Sequence, residues 1–366
     1  MYKHFGKKIE MPDLISIIIC VRNSEKYLEE CLESIAQQNF DHNLLELSIY
    51  DDGSSDRSLD IIRSWYDQYC STHHQDNRIR LIINSNPDKD QPKGVGGAKN
   101  HAIAQSNGNY LCFFDSDDIM DPERILKQYE ICKQNPDCIV GCKVRRIPEN
   151  STPRYIEWAN NLTEDQLTQQ IYTCFGPTIL MPTWFCTRQC FHKIGAFDQS
   201  DSKGIPEDLI FFYKHIRNGG GIKRVDDILL TYRYHSEATT FSVLDETIWN
   251  IRLAELEKNV LSKWNQFMIW NAGKEGRRFY RCLSEQNRSK VQAFCDVDQK
   301  KLAKKFYVYE TCIKGIKDKP KIPIIHFSNL KPPIVICIKL GLTNGQFEQN
   351  LHSMNLKESI DFVHFG

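Results

Sequence analysis

Two kinds of apolar pattern alternate along the first third of the chain, and their spacing predicts its elements. Leu14-Ile-Ser-Ile-Ile-Ile-Cys20 is almost continuously apolar and β-branched, as in a strand buried on both faces. Tyr27, Leu28, Cys31, Leu32 and Ile35 then recur on one helix face, after Asn23 and Ser24, whose side chains offer caps. The alternation repeats. Glu46 to Tyr50 predicts a strand, and Leu59, Ile62, Tyr66 and Tyr69 a helix capped by Ser55 or Asp56. Ile79 to Ile83 predicts the next strand, and Lys99, Asn100, Ile103 and Ala104 the helix after Gly94-Val-Gly-Gly97. Tyr110 to Phe114 is a fourth strand, and Asp121-Pro122 opens a further helix. Strands and helices alternating from 14 to 135 predict an α/β domain with a mainly parallel, mixed sheet.

Beyond residue 143 the alternation stops. Val144-Arg145-Arg146 and Pro148 to Pro153 read as irregular, and Leu162, Leu167, Ile171 and Tyr172 as a short helix pair. Leu209 to Tyr213 predicts an aromatic helix with Glu207 and Asp208 at its N-terminus; Ile228 to Leu230 and Tyr232 to His235 follow. A second strand-helix-strand pattern runs through Gln266 to Trp270, Arg277 to Cys282 and Lys290 to Asp296, with three more strands at Ile322 to Phe327, Pro333 to Leu340 and Asp361 to Phe365. It predicts a smaller Rossmann-like α/β domain, so the expected division is 1–245 and 246–366.

In parallel sheets ligands bind beyond the carboxyl ends of the strands. The residues there are Cys20, Arg22 and Asn23, then Asp51 and Asp52, then Asp115-Ser116-Asp117-Asp118. If the fourth strand stays extended, Asp115 and Asp117 lie on one face about 7 Å apart, able to share a divalent cation, and Asp118 points elsewhere. A nucleotide fits this set. Asp52 is placed to accept from a base or ribose, the acidic triplet to hold a metal on a diphosphate, Gly94 to allow close backbone approach, and Lys99 to add positive charge. Neither a G-x-x-x-x-G-K-[ST] loop nor a dinucleotide fingerprint follows the first strand, and in the second domain Asn271 stands where that fingerprint has its first glycine. Three residues carry two readings each: His235 as metal ligand or structural histidine, Glu207 as acceptor-orienting group or helix-start carboxylate, and Trp184 as stacking platform or core.

Composition narrows the setting. The chain has 366 residues, 41% hydrophobic, enough to bury two cores. Its 14 cysteines include no C-x-x-C pair, which argues against a zinc site. No apolar run approaches the roughly 20 residues of a membrane span, so a cytoplasmic, reducing setting without membrane attachment is expected. Net charge is zero but divided: residues 246–366 hold 20 Lys and Arg against 12 Asp and Glu, and residues 1–245 carry the opposite surplus. This suits a polyanion partner for the C-terminal part, or else a solvated lysine surface.

From about 14 to 240 the chain resembles the inverting glycosyltransferases of family 2, which have the GT-A nucleotide-sugar fold. The matching residues are Ser16-Ile-Ile-Ile19 with Asn23, Tyr50-Asp-Asp-Gly-Ser-Ser-Asp56, Gly97-Ala-Lys-Asn100, Phe114-Asp-Ser-Asp-Asp118, Gly195-Ala-Phe-Asp198, Glu207-Asp208 and Tyr232-Arg-Tyr-His235. The resemblance implies that Asp52 contacts uracil, that Asp115, Asp117 and Asp118 bind ribose and Mn²⁺ (or Mg²⁺), that His235 completes the metal site, and that Asp208 is the general base. Further matches at Gly94 to Asn100, Met181 to Cys186, Val225-Asp226, Ile269 to Arg278, Ala293 to Asp298 and Asp361 to Phe365 resemble the galactosyltransferases that modify queuosine in animal tRNA. They imply UDP-galactose as donor and queuosine-modified cytoplasmic tyrosine tRNA as acceptor. The alternative is another UDP-sugar transferase, such as an N-acetylglucosaminyltransferase, acting on a glycan or small molecule.

Overall fold

The computed structural model describes residues 13–309 and 319–366. The opening stretch to Pro12, and Lys314 and Lys317 of the C-terminal lysine run, lie outside the described residues. Two compact units emerge, one from residues up to 151 with 179–240, the other from 152–178 with 241–366. The segment 152–178, expected in the first domain, thus packs with the second.

The elements of the first unit follow the predicted alternation: β1 (Ile15–Val21), α1 (Leu28–Ala36), β2 (Leu45–Asp51), α2 (Ser58–Thr72), β3 (Arg80–Ser85), α3 (Gly94–Gln105), β4 (Tyr110–Phe113), β5 (Ile119–Met120), α4 (Arg124–Gln134) and β6 (Cys138–Ile147). The helices α5 (Pro153–Asn161) and α6 (Glu164–Gln169) go to the second unit, and β7 (Phe185–Thr187), α7 (Arg188–Ile194), α8 (Glu207–Arg217) and β8 (Gly221–Arg233) complete the first. The sheet order is β3-β2-β1-β4-β7-β6-β8-β5, parallel from β3 to β4, with β7 antiparallel to both neighbours. Every residue of β2 is buried, Glu46 included. That carboxylate is tolerated because Ser16 Oγ (2.9 Å), Asn107 N (2.7 Å) and Asn107 Nδ2 (3.0 Å) all donate to it.

Two local expectations change. Val144 to Arg146 is not irregular but part of β6, paired with β8 as far as Ile147. Cys142 and Val144 face the core while Lys143 and Arg145 face outward, and Arg146 lies 3.9 Å over the Tyr232 ring, which masks its charge as a strand residue. At α1 no side chain caps the helix; Tyr27 N and Leu28 N donate to Ser24 O, and the Ser24 hydroxyl pairs with Ser116 Oγ at 2.8 Å.

The second unit adds α9 (Asp245–Asn259), β9 (Phe267–Trp270), α10 (Lys274–Cys282), α11 (Glu285–Arg288), β10 (Val291–Asp296), α12 (Gln299–Leu302), β11 (Phe306–Val308), β12 (Lys321–His326), β13 (Ile334–Ile336), α13 (Gln346–Ser353) and β14 (Phe362–His364). Its sheet runs β11-β12-β10-β9-β13-β14 and is parallel except at β11, so the strand order reverses at β9 in Rossmann-like fashion. The switch-point crevice is taken by the chain itself. Asn271, at φ +122°, donates through Nδ2 to Cys337 O (2.7 Å) and accepts from Gly273 N (2.7 Å). Phe365 N and Gly366 N donate to Ile336 O, with the Phe365 ring between Trp249, Phe279 and Arg252.

Candidate active site

The strand β4 ends at Phe113, two residues short of the first acid. Asp115 to Asp118 instead form a turn, closed by Asp118 N donating to Asp115 O at 3.3 Å. The turn gathers what an extended strand would separate: Asp115, Asp117 and Asp118 each offer an oxygen within 4.8 Å of the others. Asp118, expected to point away, is part of the cluster. Its Oδ1 accepts Arg233 N at 2.8 Å, while Oδ2 is buried and has no hydrogen-bond partner among the described residues. His235 reaches the same place from the end of β8, with Nε2 2.7 Å from Asp117 Oδ2 and a buried, unpartnered Nδ1. Burial pushes the Asp115 carboxyl up to about 6, with Lys99 opposing and the charges of Asp117, Glu207 and Asp208 adding; burial and its two neighbours push Asp118 well above the carboxylate range. Three crowded hard-oxygen groups with an orphaned buried oxygen fit a divalent cation of the Mg²⁺ or Mn²⁺ kind.

Sequence reasoning left Arg233 and Tyr27 without a role. Arg233 donates through Nε to Asp117 O (2.8 Å) and through Nη2 to Glu30 (2.5 Å), and its guanidinium lies 4.6 Å over the Tyr27 ring, itself 4.9 Å from His235. Arg233 therefore fixes the acidic turn by both backbone and side chain. The signal was its place within Tyr232-Arg-Tyr-His235, two residues before His235.

A second pair of carboxylates opens α8. Glu207 Oε1 accepts Lys99 Nζ at 2.9 Å, and Lys99 is only 5% exposed. Burial alone would lower the lysine's pKa; the Glu207 and Asp115 charges outweigh it and hold the ammonium above its ordinary value. Lys99 is thus committed to Glu207. Asp208 accepts from Leu209 N at 2.7 Å, and burial followed by the Glu207 charge raises its carboxyl to about 6 against the lowering effect of Lys99 and the helix amides. The same segment explains the glycines: a Cβ at Gly94 would lie 2.5 Å from Ser202 O, and one at Gly96 2.1 Å from Asp198 O. The backbone that approaches so closely is the chain's own loop leading to α8.

The other predicted residues surround this centre with mixed fates. Asp52 is 4% exposed and caps α3: Lys93 N (2.8 Å) and Asn86 Nδ2 (3.3 Å) donate to Oδ1, Gly94 N (2.9 Å) to Oδ2. Arg22 Nη1 donates to Asp52 O at 3.0 Å, and Asn23, at φ +50°, accepts from Ser55 N at 2.8 Å, so both pin the loop after β2. Cys20 sits half-buried near Val95 O, and burial raises its thiol pKa. Trp184 is corrected to core: it is 0% exposed, donates to Ile179 O (3.0 Å) and lies among Phe113, Phe211 and Phe212, with no ring face for a ligand.

Residues 16–192 match the family described as Glycosyl transferase family 2. They form a glycosyltransferase family 2 domain. Among curated relatives of that domain, the uncharacterized glycosyltransferase EpsJ of Bacillus subtilis is 25% identical over 277 residues, 74% of this chain and 76% of its own length. The poly(ribitol-phosphate) beta-glucosyltransferase of Bacillus spizizenii is 32% identical over 44% of this chain, which spans 24% of that protein. Chondroitin synthase of Escherichia coli is 28% identical over 63% of this chain, which spans 30% of that protein. The structure of S. aureus TarS 1–349 in complex with UDP-GlcNAc superposes with a TM-score of 0.53 at 20% identity, covering 75% of this chain and 71% of that one. The glycosyltransferase domain thus has an α/β fold with the mixed sheet of GT-A transferases, and a second sheet domain accompanies it.

Proposed function

We propose that the chain is an inverting glycosyltransferase that moves a sugar from a UDP-sugar donor to an acceptor hydroxyl at the centre where the acidic turn, His235 and the opening of α8 meet. The observation that carries this reading is the electrostatic coupling of two carboxylate groups of different kind: a crowded turn with an orphaned oxygen on Asp118, and Asp208, whose environment makes it a stronger base than an ordinary aspartate. Asp115, Asp117, Asp118 and His235 would hold Mn²⁺ or Mg²⁺, which when bound offsets charge on the departing diphosphate. Asp208 accepts the proton of the acceptor hydroxyl as that oxygen bonds to the sugar C1 and the C1–O bond to UDP breaks. With its carboxyl near 6 it is ionised at neutral pH and still basic enough to take the proton. Glu207, held by Lys99, sets the charge beside it. Asp52, with one lone-pair position of Oδ2 still open beside the α3 amides, is the group for the uracil edge, and Cys20, Arg22, Asn23, Gly94 and Ser116 frame the donor side.

For donor and acceptor the proposal is galactose from UDP-galactose to queuosine in cytoplasmic tyrosine tRNA. The support is the resemblance that continues past the catalytic residues into Ile269 to Arg278, Ala293 to Asp298 and Asp361 to Phe365, together with the basic surplus of residues 246–366. A cytoplasmic setting belongs to the same reading; no helix among the described residues is long and apolar enough to cross a membrane. A second reading, another UDP-sugar onto a glycan, is favoured by the relatives' own names, which specify poly(ribitol-phosphate) and chondroitin, and by the UDP-GlcNAc in the TarS complex. Incubating the purified chain with Mn²⁺ and each of several UDP-sugars, then analysing tRNA nucleosides and glycan acceptors by mass spectrometry, separates them. A hexose on queuosine from UDP-galactose alone supports the first; transfer only to glycans replaces it with the second.

A further inference from the structure

On one edge of the second unit's sheet, β11 carries apolar side chains that its own core does not use. Phe306 is 48% and Val308 42% exposed, while Tyr307 between them turns inward against Tyr280 and Phe294 at 5.8 and 5.4 Å. Exposed lysines lie beside them among the described residues. Lys300, Lys304 and Lys305 are exposed just before the strand, and Lys321, which pairs with Val308 across the ladder, is exposed as well. Among the described residues no carboxylate lies within ion-pair distance of these four, in contrast to Lys301, which Asp296 holds at 2.9 Å. Arg277 and Arg288 add their guanidinium groups over Tyr307 (5.3 Å) and Tyr309 (4.8 Å).

We propose that this edge is a docking surface for RNA, with an unpaired base stacked on Phe306 and the lysines on flanking phosphates. Lysines alone would suit any polyanion. An exposed aromatic ring set among lysines that no described carboxylate holds suits one in which charged groups alternate with flat apolar faces, which single-stranded stretches of RNA provide and acidic peptides do not. The inference rests on the tRNA-acceptor reading for the choice of RNA, and it assigns that reading a surface.

The test uses the full chain and fluorescein-labelled unfractionated tRNA, followed by anisotropy over a range of salt, with polyglutamate and phosphatidylserine vesicles as competitors. Phe306→Ala should weaken tRNA binding about tenfold without changing its salt slope, because stacking releases no counterions. Replacing Lys300, Lys304, Lys305 and Lys321 with Gln should flatten the slope by roughly 0.7 to 0.9 per lost phosphate contact. All these side chains are exposed, so an unchanged melting temperature verifies that the variants are folded. Unchanged tRNA affinity in both variants overturns the proposal, as does displacement by polyglutamate or by vesicles as effective as by unlabelled tRNA. If binding is unchanged in the variants while tRNA still accepts the sugar, this surface is wrong and the acceptor reading stands; if tRNA binds here as expected but accepts no sugar, the acceptor reading fails and the surface stands.

Discussion

Both units have acid where a buried strand leaves the sheet, at Asp115 to Asp118 after β4 and at Asp296, the last residue of β10, yet the two ends differ in what remains open. Asp296 is fully used by its own chain: Oδ2 accepts Ala272 N and Lys301 Nζ at 2.8 and 2.9 Å, and Oδ1 accepts Val297 N and Asp298 N at 2.9 and 3.0 Å. Asn271, opposite it, is tied on both sides of its amide. In the first unit Asp118 Oδ2 and His235 Nδ1 are buried and without partners among the described residues, and burial first, with neighbouring carboxylate charge adding to it, pushes the Asp115 and Asp118 carboxyls up. A buried polar atom without a partner costs folding free energy of about 1–3 kcal/mol, which in the proposed function a bound cation would offset at the acidic turn. A strand-end carboxylate alone does not mark a site. Among the described residues the Asp296 strand end is satisfied by its own chain, whereas the turn from Asp115 to Asp118 keeps a buried oxygen without a partner.

Exchanging the corresponding acids is the strongest way to break this contrast. Asp117→Ala should lower turnover on the order of 10³-fold and weaken UDP binding in the presence of Mn²⁺, because it removes both a cation ligand and the partner of His235. Asp296→Asn should leave turnover unchanged and lower unfolding stability by about 1–3 kcal/mol, read from the denaturant midpoint. Equal loss of activity in both would erase the distinction between the units.

Asp208→Asn sharpens the contrast within the first unit by keeping shape and removing the proton acceptor. Turnover should fall about 10²-fold or more with UDP affinity little changed; near-normal turnover would move the base elsewhere. The wild-type rate has a matching pH signature. Only the ionised Asp208 accepts a proton and its carboxyl titrates at about 6, so kcat/KM should be level above that value and fall as pH drops through it. Lys99 opposes the upward shift of Asp208, so Lys99→Met should move this acid limb to higher pH; a limb that stays in place would show that the two groups do not act on each other.

The smallest expected effect concerns Asp52. As a cap of α3 its replacement by Ala should cost about 1 kcal/mol in stability, and a rise in donor KM beyond that would add the uracil contact to the structural role. Thermal melts and donor titrations on one variant read both.

The alternation of apolar runs made the α/β class of both units legible, because parallel strands buried on both faces leave continuous β-branched segments such as Ile15–Val21. What escaped depended on tertiary partners. The charges of Arg145 and Arg146 hid β6, since only the structure shows the Tyr232 ring that accompanies one of them. The acidic triplet was recognisable as chemistry, but an extended strand was the wrong geometry for it; a turn after Phe113 brings in Asp118. Lys99 was read as added positive charge beside a nucleotide, and its partner in the structure is Glu207, 108 positions away in sequence, a pairing no local pattern encodes. The glycine run was read as allowing close backbone approach, and what approaches Gly94 and Gly96 in the structure is the loop at Asp198 to Ser202, a pairing that the sequence does not show.

The central claim, that the unsatisfied acidic turn of the first unit is where UDP and a divalent cation bind, is tested most directly by titration calorimetry of UDP into the full chain with and without Mn²⁺. The account predicts a single Mn²⁺-dependent UDP site that is lost in Asp117→Ala and retained in Asp296→Asn. Unchanged UDP affinity in Asp117→Ala, or loss of binding in Asp296→Asn, would contradict it.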